Sequence, residues 1–378
     1  MEPTTRPRIL MATTSFPRDD TDWKGRFIYD QAAAIDRSGA VDLSLWGPPG
    51  ELPGSVVSAS SPTDSEFLGK MLDAGGIAHL LRKRPVQGLA ESWRVLTGLK
   101  AACQRNQVDV YHLNWLQLAL GLPDDGRPAY ISSLGSDLGL LRLPGMVPTL
   151  RRVFRRHPTL LAPNAEWMTV PLEKSFGAVA QVKANPFGVD AGWFGMSKAQ
   201  NTAEDWLVVS RLTTKKLGDL FAWGDGLFGT ERKLILLGPM QEKVHLPPWV
   251  HYPGATNLKD LREKWFPRAR GLLTLSRHNE GRPQVMIEAM ASGLPVIASC
   301  LPAHTDLIRH GETGWLVESR ADLVSALTQA GDQATATRIG DNARSWVREK
   351  IGTWDDCAMR CVASYTALLE VGKPHATK

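Results

Sequence analysis

The sequence lacks a long apolar segment. Nowhere among the 378 residues is there a run approaching the roughly 18 consecutive apolar residues of a membrane-spanning helix. Residues 1–8 are polar and proline-rich, whereas a signal peptide begins with a basic stub followed by an apolar stretch. We therefore predict neither a membrane span nor a signal peptide.

Cysteine is also scarce. The four cysteines, at positions 103, 300, 357 and 361, are too few and too scattered for a disulfide framework in a chain of this length. This indicates a reducing, cytoplasmic compartment. Cys357 and Cys361 are spaced to share a helical face, but no histidine or cysteine pair with zinc spacing joins them, so we predict packed thiols and no metal.

Two nucleotide-binding signatures are absent. The loop after the first predicted strand contains Gly25 but no Gly-x-Gly-x-x-Gly, which argues against a dinucleotide-dependent dehydrogenase. A Gly-x4-Gly-Lys-Ser/Thr loop occurs nowhere, which excludes P-loop kinases and ATPases.

The net charge is small but locally concentrated. The chain carries 44 basic and 39 acidic side chains, a balance of +5, and neither half is basic in the manner of a nucleic-acid binder. Between Asp137 and Glu166 there are five arginines and no acidic residue. A second stretch, from Leu80 to Arg105, has six basic side chains against Glu91 alone.

The apolar pattern predicts two α/β domains. With 43% apolar residues the chain can bury sizeable cores, and its length favours two of them. Short apolar strands alternate with helix-length segments, a pattern typical of parallel, doubly wound sheets. The alternation restarts after Asn185-Pro186-Phe187-Gly188. We therefore predict Rossmann-like domains at 1–188 and 189–352, followed by a last helix and tail at 353–378 that cross back to the first domain.

The predicted strands of the first domain are 9–12, 41–45, 108–112, 129–133 and 159–162, and those of the second are 206–209, 233–237, 249–252, 271–275 and 295–298.

Residues 276–296 contain the most informative motif. They predict a strand end, a loop, a helix with Pro283 in its first turn, and a glycine cap at Gly293. A helix that begins at the carboxyl edge of a parallel sheet favours an anion. Glu280 precedes this helix and Glu288 lies inside it, roughly 7 to 8 Å further along the axis. Both glutamates suit sugar hydroxyls, and the alternative is two solvated surface side chains.

This stretch resembles the Glu-x7-Glu signature of retaining glycosyltransferases with the GT-B fold, specifically glycosyltransferase family 4. Segments 208–212 with Lys216, 250–254 and 311–317 also resemble family motifs, in the family's order. In the first half, segments 25–27, 109–112 and 135–137 are similar to its acceptor-domain loops. The resemblance implies two Rossmann-like domains facing across a cleft, the first for the acceptor and the second for a nucleotide sugar.

The resemblance also implies roles for individual residues. Glu280 would contact the donor sugar and Glu288 the ribose, while Arg211 and Lys216 would hold the diphosphate. His112, which we predict at the end of a strand, would lie near the reacting sugar and diphosphate. The other substrate-binding residues that we predict are Gly25, Asp137, Ser210, Gly238, Gly281, Arg282, Pro283 and Gln284.

Each assignment has a structural alternative. Arg211 and Lys216 could be solvated, His112 a satisfied core residue, Gly25 a turn residue, and Asp137 a helix N-cap.

The chain departs from the family pattern at two places. The glycine that the family usually has just after the lysine is displaced, because Lys216 is followed by Leu217 and then Gly218, so Lys215 is a neighbouring candidate for the same charge. Asp306 stands where the family has a glutamate. Asp20-Thr21-Asp22 has the Asp-x-Asp form of metal-dependent transferases, but it lies in a polar loop of a different fold, so we predict neither metal nor cofactor.

The resemblance implies retaining transfer of a hexose from a UDP- or GDP-sugar to a hydroxyl of a glycan or lipid-linked acceptor, in polysaccharide or glycolipid assembly. A GT-B-like epimerase and a catalytically silent nucleotide-sugar-binding partner are the alternatives. Arg151, Arg152, Arg155 and Arg156 lie beside Leu150, Val153 and Phe154 in a predicted amphipathic helix. This helix predicts peripheral docking on an anionic membrane surface at the inner face of the cytoplasmic membrane, with an ordinary cationic surface helix as the alternative.

Overall fold

The computed structural model describes residues 6–20, 22–196, 204–278 and 280–371. The chain divides into two compact units, of which unit 1 comprises residues 1–187 and 354–378 and unit 2 comprises residues 188–353. Each unit is built around its own parallel sheet.

Unit 1 begins with a seven-stranded sheet and its connecting helices. The elements are β1 (Arg8–Ala12), α1 (Arg26–Arg37), β2 (Asp42–Trp46), β3 (Val57–Ser58), α2 (Pro62–Asp73), α3 (Ile77–Lys83), α4 (Pro85–Arg105), β4 (Val110–Asn114), β5 (Ala129–Ser133), α5 (Met146–Phe154), β6 (Thr159–Pro163), α6 (Thr169–Phe176) and β7 (Gln181–Val182). Short 3-10 helices cover Leu116–Gly121, Ser136–Arg142 and Glu166–Met168.

Unit 2 has a six-stranded sheet. Its elements are β8 (Glu204–Val209), α7 (Thr214–Leu217), α8 (Leu220–Gly224), β9 (Arg232–Leu237), β10 (Val250–Gly254), α9 (Leu258–Asp260), β11 (Gly271–Thr274), α10 (Gln284–Ala291), β12 (Val296–Ser299), α11 (Pro302–Thr305), β13 (Trp315–Val317), α12 (Arg320–Gly331) and α13 (Gln333–Lys350). A π-helical turn spans Leu261–Trp265, and 3-10 turns span Ala191–Trp193 and Phe266–Arg268.

The strand orders are those of doubly wound sheets. In unit 1 the order is β3-β2-β1-β4-β5-β6-β7, and in unit 2 it is β10-β9-β8-β11-β12-β13. The paired strands are parallel, and the residues of the central strands β1, β4, β5 and β6 are almost all buried, as expected where helices cover both faces of a sheet. The prediction of an α/β fold with two Rossmann-like parallel sheets is confirmed.

The last helix, α14 (Trp354–Val371), belongs to unit 1 and packs against α1. Cys357, Cys361 and Tyr365 lie on its buried face, within the same core as Ile28 and Ile35 of α1. Both cysteine side chains are fully buried. Within the described ranges, none of the helices combines the length and hydropathy needed to cross a bilayer.

Three short strands were not predicted from the sequence. The strands β3 and β7 have two residues each and lie at the edges of the unit 1 sheet, and β13 has three residues at an edge of the unit 2 sheet. Segments this short carry too little alternation to be recognised.

Candidate functional site

The loops that follow four adjacent strands of unit 2 carry most of the predicted site residues. The order β9-β8-β11-β12 places the carboxyl ends of these parallel strands at one edge of the sheet. Ser210 and Arg211 follow β8, Gly238 follows β9, Glu280 follows β11, and His304 follows β12. Ligands of open α/β sheets bind at this kind of edge.

Lys216 and Glu280 form an ion pair at this edge. The Nζ atom of Lys216 lies 2.5 Å from Oε2 of Glu280, and the two side chains are 14% and 19% exposed. Lys216 belongs to the short helix α7, where its backbone N–H donates to Oγ1 of Thr213, the N-cap residue. Two groups that sequence reasoning assigned to diphosphate and sugar are therefore in direct contact.

The displaced glycine has a steric reason. Gly218 has a φ of 55°, and a Cβ there would lie 1.9 Å from the carbonyl oxygen of Leu275, directly after β11. The backbone after α7 passes so close to the end of β11 that only glycine fits. Lys215 lies on the same helix, is exposed, and accepts a hydrogen bond from the Arg277 amide through its own carbonyl.

His278 lies within the electrostatic field of this cluster. Burial lowers the pKa of His278, and the positive charges of Lys216, Arg211 and Lys215 lower it further, while Glu280 raises it. His278 therefore lies near all four of these charged groups. An imidazole in this setting is neutral at neutral pH and can accept a hydrogen bond.

The helix α10 begins at the same edge. Pro283 is its N-cap and not, as predicted, a residue of its first turn, because the helix starts one residue later at Gln284. Gly281 is buried just before this end, and Gln284 donates a hydrogen bond from its side chain to the carbonyl of Gly188. Glu288 is the fifth residue of α10 and is almost fully buried. It is therefore not a surface helix glutamate.

Arg282 and Asp306 form the most buried ion pair among the described residues. Nη2 of Arg282 lies 2.5 Å from Oδ2 of Asp306, with the side chains 4% and 8% exposed. Asp306, which stands in place of the family glutamate, thus holds the arginine that precedes α10. The sequence predicted Arg282 as a substrate-binding residue but gave no sign of this ion pair.

His304 was also missed as a site residue. Its Nδ1 lies 2.8 Å from the carbonyl oxygen of Ser299, so Nδ1 carries the proton and Nε2 is an acceptor. In the described part of the chain Nε2 has no hydrogen-bond partner. Burial lowers the pKa of His304, the charge of Glu280 raises it, and the charge of Lys216 lowers it. The imidazole therefore lies near the ion pair between Lys216 and Glu280. No periodicity or motif in the sequence signals this position.

Gly238 supports the loop after β8. Its φ is 142°, and a Cβ would lie 1.8 Å from the carbonyl oxygen of Ser210. The two loops are therefore in backbone contact, which a larger residue would prevent. The hydroxyl of Tyr252, on β10, donates a hydrogen bond to the Gly238 carbonyl at 2.9 Å, so β10 also contacts the loop after β9.

Gly25, His112 and Asp137 lie in unit 1. The strands β1, β4 and β5 are adjacent; His112 lies on β4, Asp137 lies in the segment after β5, and Gly25 ends the long loop after β1. Gly25 is the N-cap of α1, with a φ of 68° and the backbone of Ser15 in close contact. Its role as a ligand-binding residue stays a prediction.

His112 does not lie at a strand end. The strand β4 continues to Asn114, so His112 is its central residue and is fully buried. Nδ1 lies 2.6 Å from the Tyr365 hydroxyl, and Nε2 lies 3.0 Å from that of Ser132. Burial lowers the pKa of His112 to about 3, so the ring is neutral. The predicted strand-end position is wrong, and the surroundings are those of a satisfied core histidine.

Asp137 organises a loop. It is the second residue of the 3-10 helix Ser136–Arg142, whereas Gly135 is the N-cap. Its buried carboxylate accepts hydrogen bonds from the amides of Leu116, Leu134 and Gly135. Burial raises the pKa of Asp137, and these hydrogen bonds lower it in part.

The neighbouring Asn114 and Trp115 were not singled out from the sequence. Neither side-chain polar atom of the buried Asn114 has a hydrogen-bond partner among the described residues. Trp115 has a φ of 81°, which is uncommon for a residue other than glycine and often marks a functional loop.

The formal Asp-x-Asp segment is engaged in its own loop. Asp20 pairs with Arg26 at 3.0 Å, and Asp22 accepts from the amides of Arg18 and Lys24. Thr21, between them, lies outside the described residues.

The four arginines do not share one helix. The helix α5 ends at Phe154, so it contains Arg151 and Arg152, while Arg155 is its C-cap and Arg156 follows. Arg151 donates to the carbonyl of Ser175, and Arg156 pairs with Asp124 at 3.2 Å. Because the helix ends before Arg155, the prediction of one amphipathic helix carrying all four arginines is wrong. The apolar face of α5 is buried in the core of unit 1 through Leu150 and Phe154.

Residues 209–333 match the family model described as glycosyl transferases group 1. This match covers a third of the chain and lies within unit 2. An exopolysaccharide phosphotransferase of Streptomyces coelicolor is 32% identical over 137 residues, which are 34% of this chain and 14% of that protein. The chain therefore matches only a small part of that relative's length.

Solved structures share the fold along almost the whole chain. Sucrose-phosphate synthase from Thermosynechococcus elongatus has a TM-score of 0.73 at 16% identity, covering 97% of this chain and 100% of that one. HepE of Anabaena, solved with UDP-glucose, has a TM-score of 0.63 at 14% identity, covering 96% and 100%. The chain thus has the two-domain fold of GT-B glycosyltransferases, and its second unit contains a segment similar to glycosyl transferases group 1.

Proposed function

We propose that this protein is a retaining glycosyltransferase of family 4. It transfers a hexose from a UDP- or GDP-linked donor to a hydroxyl of a glycan or lipid-linked acceptor in polysaccharide or glycolipid assembly. The carrying observation is the cluster of Arg211, Lys215, Lys216 and Glu280 at the sheet edge of unit 2, inside the segment that matches glycosyl transferases group 1. Unit 2 would bind the donor and unit 1 the acceptor.

The cluster suits the leaving group of this reaction. When the glycosidic bond breaks, the nucleoside diphosphate gains negative charge, and cations held in position stabilise it. Arg211 and Lys216 supply that charge, with the amides of Gly281 and Arg282 just before α10. Glu280 then accepts hydrogen bonds from the sugar, and Glu288 from the ribose.

The proposed mechanism is front-face displacement. The acceptor hydroxyl attacks the anomeric carbon from the side that the diphosphate leaves, and the departing diphosphate oxygen takes the hydroxyl proton. The anomeric configuration is retained. His112 has no proposed proton-transfer role, because both of its ring nitrogens are engaged within unit 1.

The donor class is supported by the fold and by one neighbour. HepE, whose fold is similar, was solved with UDP-glucose. We propose a cytoplasmic location with access to lipid-linked acceptors.

We expect UDP- or GDP-sugars to raise the melting temperature of the protein, because a ligand at 100 times its dissociation constant adds about 2.7 kcal/mol. Glu280→Gln and Glu288→Gln should remain folded but lose turnover, because each removes a charged hydrogen-bond acceptor without changing volume. Thermal shift with a panel of nucleotide sugars and a product assay measure both. Wild-type turnover in both variants would contradict the site assignment.

The nucleotide product separates the alternatives. Glycosyl transfer releases the nucleoside diphosphate together with a glycosylated acceptor. Donor epimerisation without transfer would indicate the epimerase. Donor binding with neither product, across an acceptor panel, would indicate the silent binding partner.

We also expect activity to survive excess EDTA. The physical reason is that cationic side chains take the place of a metal at the diphosphate, and that Asp20 and Asp22 are engaged with Arg26 and with backbone amides. The measurement is turnover before and after chelation, with and without added Mn²⁺. Loss of turnover with recovery on adding Mn²⁺ would reject metal independence.

A membrane surface is part of the proposal, because a lipid-linked acceptor is delivered there. The sequence predicts that Arg151, Arg152, Arg155 and Arg156 make this contact, and that prediction stays open. In the structure the apolar residues beside them face the core.

A further inference from the structure

The helix α4 of unit 1 carries apolar side chains on two opposite faces. Val95, Leu99 and Ala102 on the inner face are fully buried in the core. Val86, Leu89 and Trp93 are 84%, 65% and 71% exposed. Because they are spaced three and four residues apart, these three form one stripe along the outer face. We call them the α4 stripe.

An exposed stripe of this composition requires an explanation. Single exposed apolar residues are common on proteins, whereas contiguous ones mark contact sites. Trp93 is the most exposed tryptophan in the described ranges. The core does not require these residues, because the opposite face of α4 already fills it.

Basic side chains border the α4 stripe. Arg82 and Lys83 end α3, Arg84 joins α3 to α4, and Lys100 lies further along the outer side of α4, and all four are exposed. From Leu80 to Arg105 the chain has six basic residues and one acidic residue, a balance of +5. The acidic residue, Glu91, is only partly exposed.

The combination fits a lipid surface better than a protein partner. A stable protein interface needs roughly 800 Å² on each side, far more than three side chains of one helix provide. Reversible membrane docking needs only a few inserted apolar residues together with cations near anionic headgroups. Tryptophan is well suited to the interfacial region of a bilayer.

We propose that the α4 stripe, together with Arg82, Lys83 and Arg84, docks the protein on an anionic lipid bilayer. The stripe enters the headgroup region and the three cations bind lipid phosphates. This proposal stands on unit 1 alone, and only its use in delivering a lipid-linked acceptor rests on the proposed function. It locates the membrane contact on α4 and not on the arginines at α5.

The test is sedimentation of the full chain with phosphatidylcholine vesicles, with and without phosphatidylglycerol. We expect binding to the anionic vesicles alone, weakened by salt as the screening length falls from about 10 Å at 0.1 M to about 3 Å at 1 M. Arg82→Ser/Lys83→Ser/Arg84→Ser should weaken binding on the order of 100-fold, at about fivefold for each charge. Leu89→Ser/Trp93→Ser should weaken it about tenfold or more.

The matched control is Arg151→Ser/Arg152→Ser/Arg155→Ser/Arg156→Ser. It removes more charge than the α4 variant but should weaken binding much less. The α4 changes lie at exposed positions, so the melting temperature and nucleotide binding should stay as in the wild type. If the control loses binding and the α4 variants keep it, the proposal is overturned.

Two other results would also overturn it. One is the absence of vesicle binding by the wild-type protein. The other is a wild-type dimer that Leu89→Ser/Trp93→Ser converts to monomers without changing vesicle binding, which would make the stripe a subunit interface. Vesicle binding without glycosyl transfer would instead reject the proposed function and leave the docking surface intact.

Discussion

Replacing Arg211 or Lys216 by alanine is expected to lower turnover by about 100-fold to 1000-fold, equal to about 2.7 to 4 kcal/mol of transition-state stabilisation. Donor binding should weaken less, because negative charge on the diphosphate grows as the glycosidic bond breaks. Arg211→Lys should also be poor, since an ammonium group cannot form the bidentate contact that a guanidinium makes with phosphate oxygens. Steady-state kinetics and donor titration separate the two effects.

Lys215 is the internal control for this prediction. It neighbours Lys216 on α7 and is exposed, whereas Lys216 pairs with Glu280 at 2.5 Å. Lys215→Ala should therefore have a small effect. If Lys215→Ala is damaging and Lys216→Ala is silent, the assignment is displaced by one residue. If neither lysine nor Arg211 affects turnover, the diphosphate is held elsewhere.

The Lys216–Glu280 contact also predicts coupling. Removing Lys216 leaves a partly buried carboxylate without its ion-pair partner, so part of the loss comes from Glu280. A double-mutant cycle with Glu280→Gln should consequently be non-additive. Additive effects would show that the two side chains act independently in the reaction.

The second large effect concerns the buried pair between Arg282 and Asp306. Asp306→Ala is expected to destabilise unit 2 by about 3 to 5 kcal/mol, because it leaves a buried guanidinium without its carboxylate. The side chains are only 4% and 8% exposed, so solvent cannot compensate for the lost partner. Denaturant unfolding measures the change in the free energy of unfolding.

An exposed pair of equal length provides the control. Arg277 and Asp219 also approach to 2.5 Å, but their side chains are 67% and 23% exposed. Asp219→Ala should cost at most about 1 kcal/mol. If Asp306→Ala instead keeps full stability and abolishes donor binding, Asp306 performs the ligand contact of the family glutamate.

Local pattern was sufficient for the fold class and for part of the site. Strand β5 was predicted with its observed bounds, because its apolar run is flanked by a proline and by a Leu-Gly turn. The position of Glu288 inside a helix was also predicted, and it is the fifth residue of α10. Such features depend on residues close together in the chain, so the sequence contains them directly.

Long-range packing decided the rest. His112 has the same sequence context whether it faces solvent or the core, and only contacts with Ser132 and Tyr365, 20 and 253 residues away, identify it as buried. The ion pair between Arg282 and Asp306 and the acceptor nitrogen of His304 likewise depend on neighbouring strand ends.

For this protein the sequence by itself determined two doubly wound parallel sheets, the break near residue 188, and the loop and helix that contain Glu280 and Glu288. Hydrophobic periodicity and capping residues act over a few neighbouring positions, so these features could be predicted from the sequence. Only the tertiary structure decided which charges meet and which apolar faces are covered. It buried the apolar residues of α5 in the core of unit 1, whereas it gave α4 both a buried inner face and exposed apolar residues on the outer face. The difference arises because burial depends on what the rest of the chain packs against each helix.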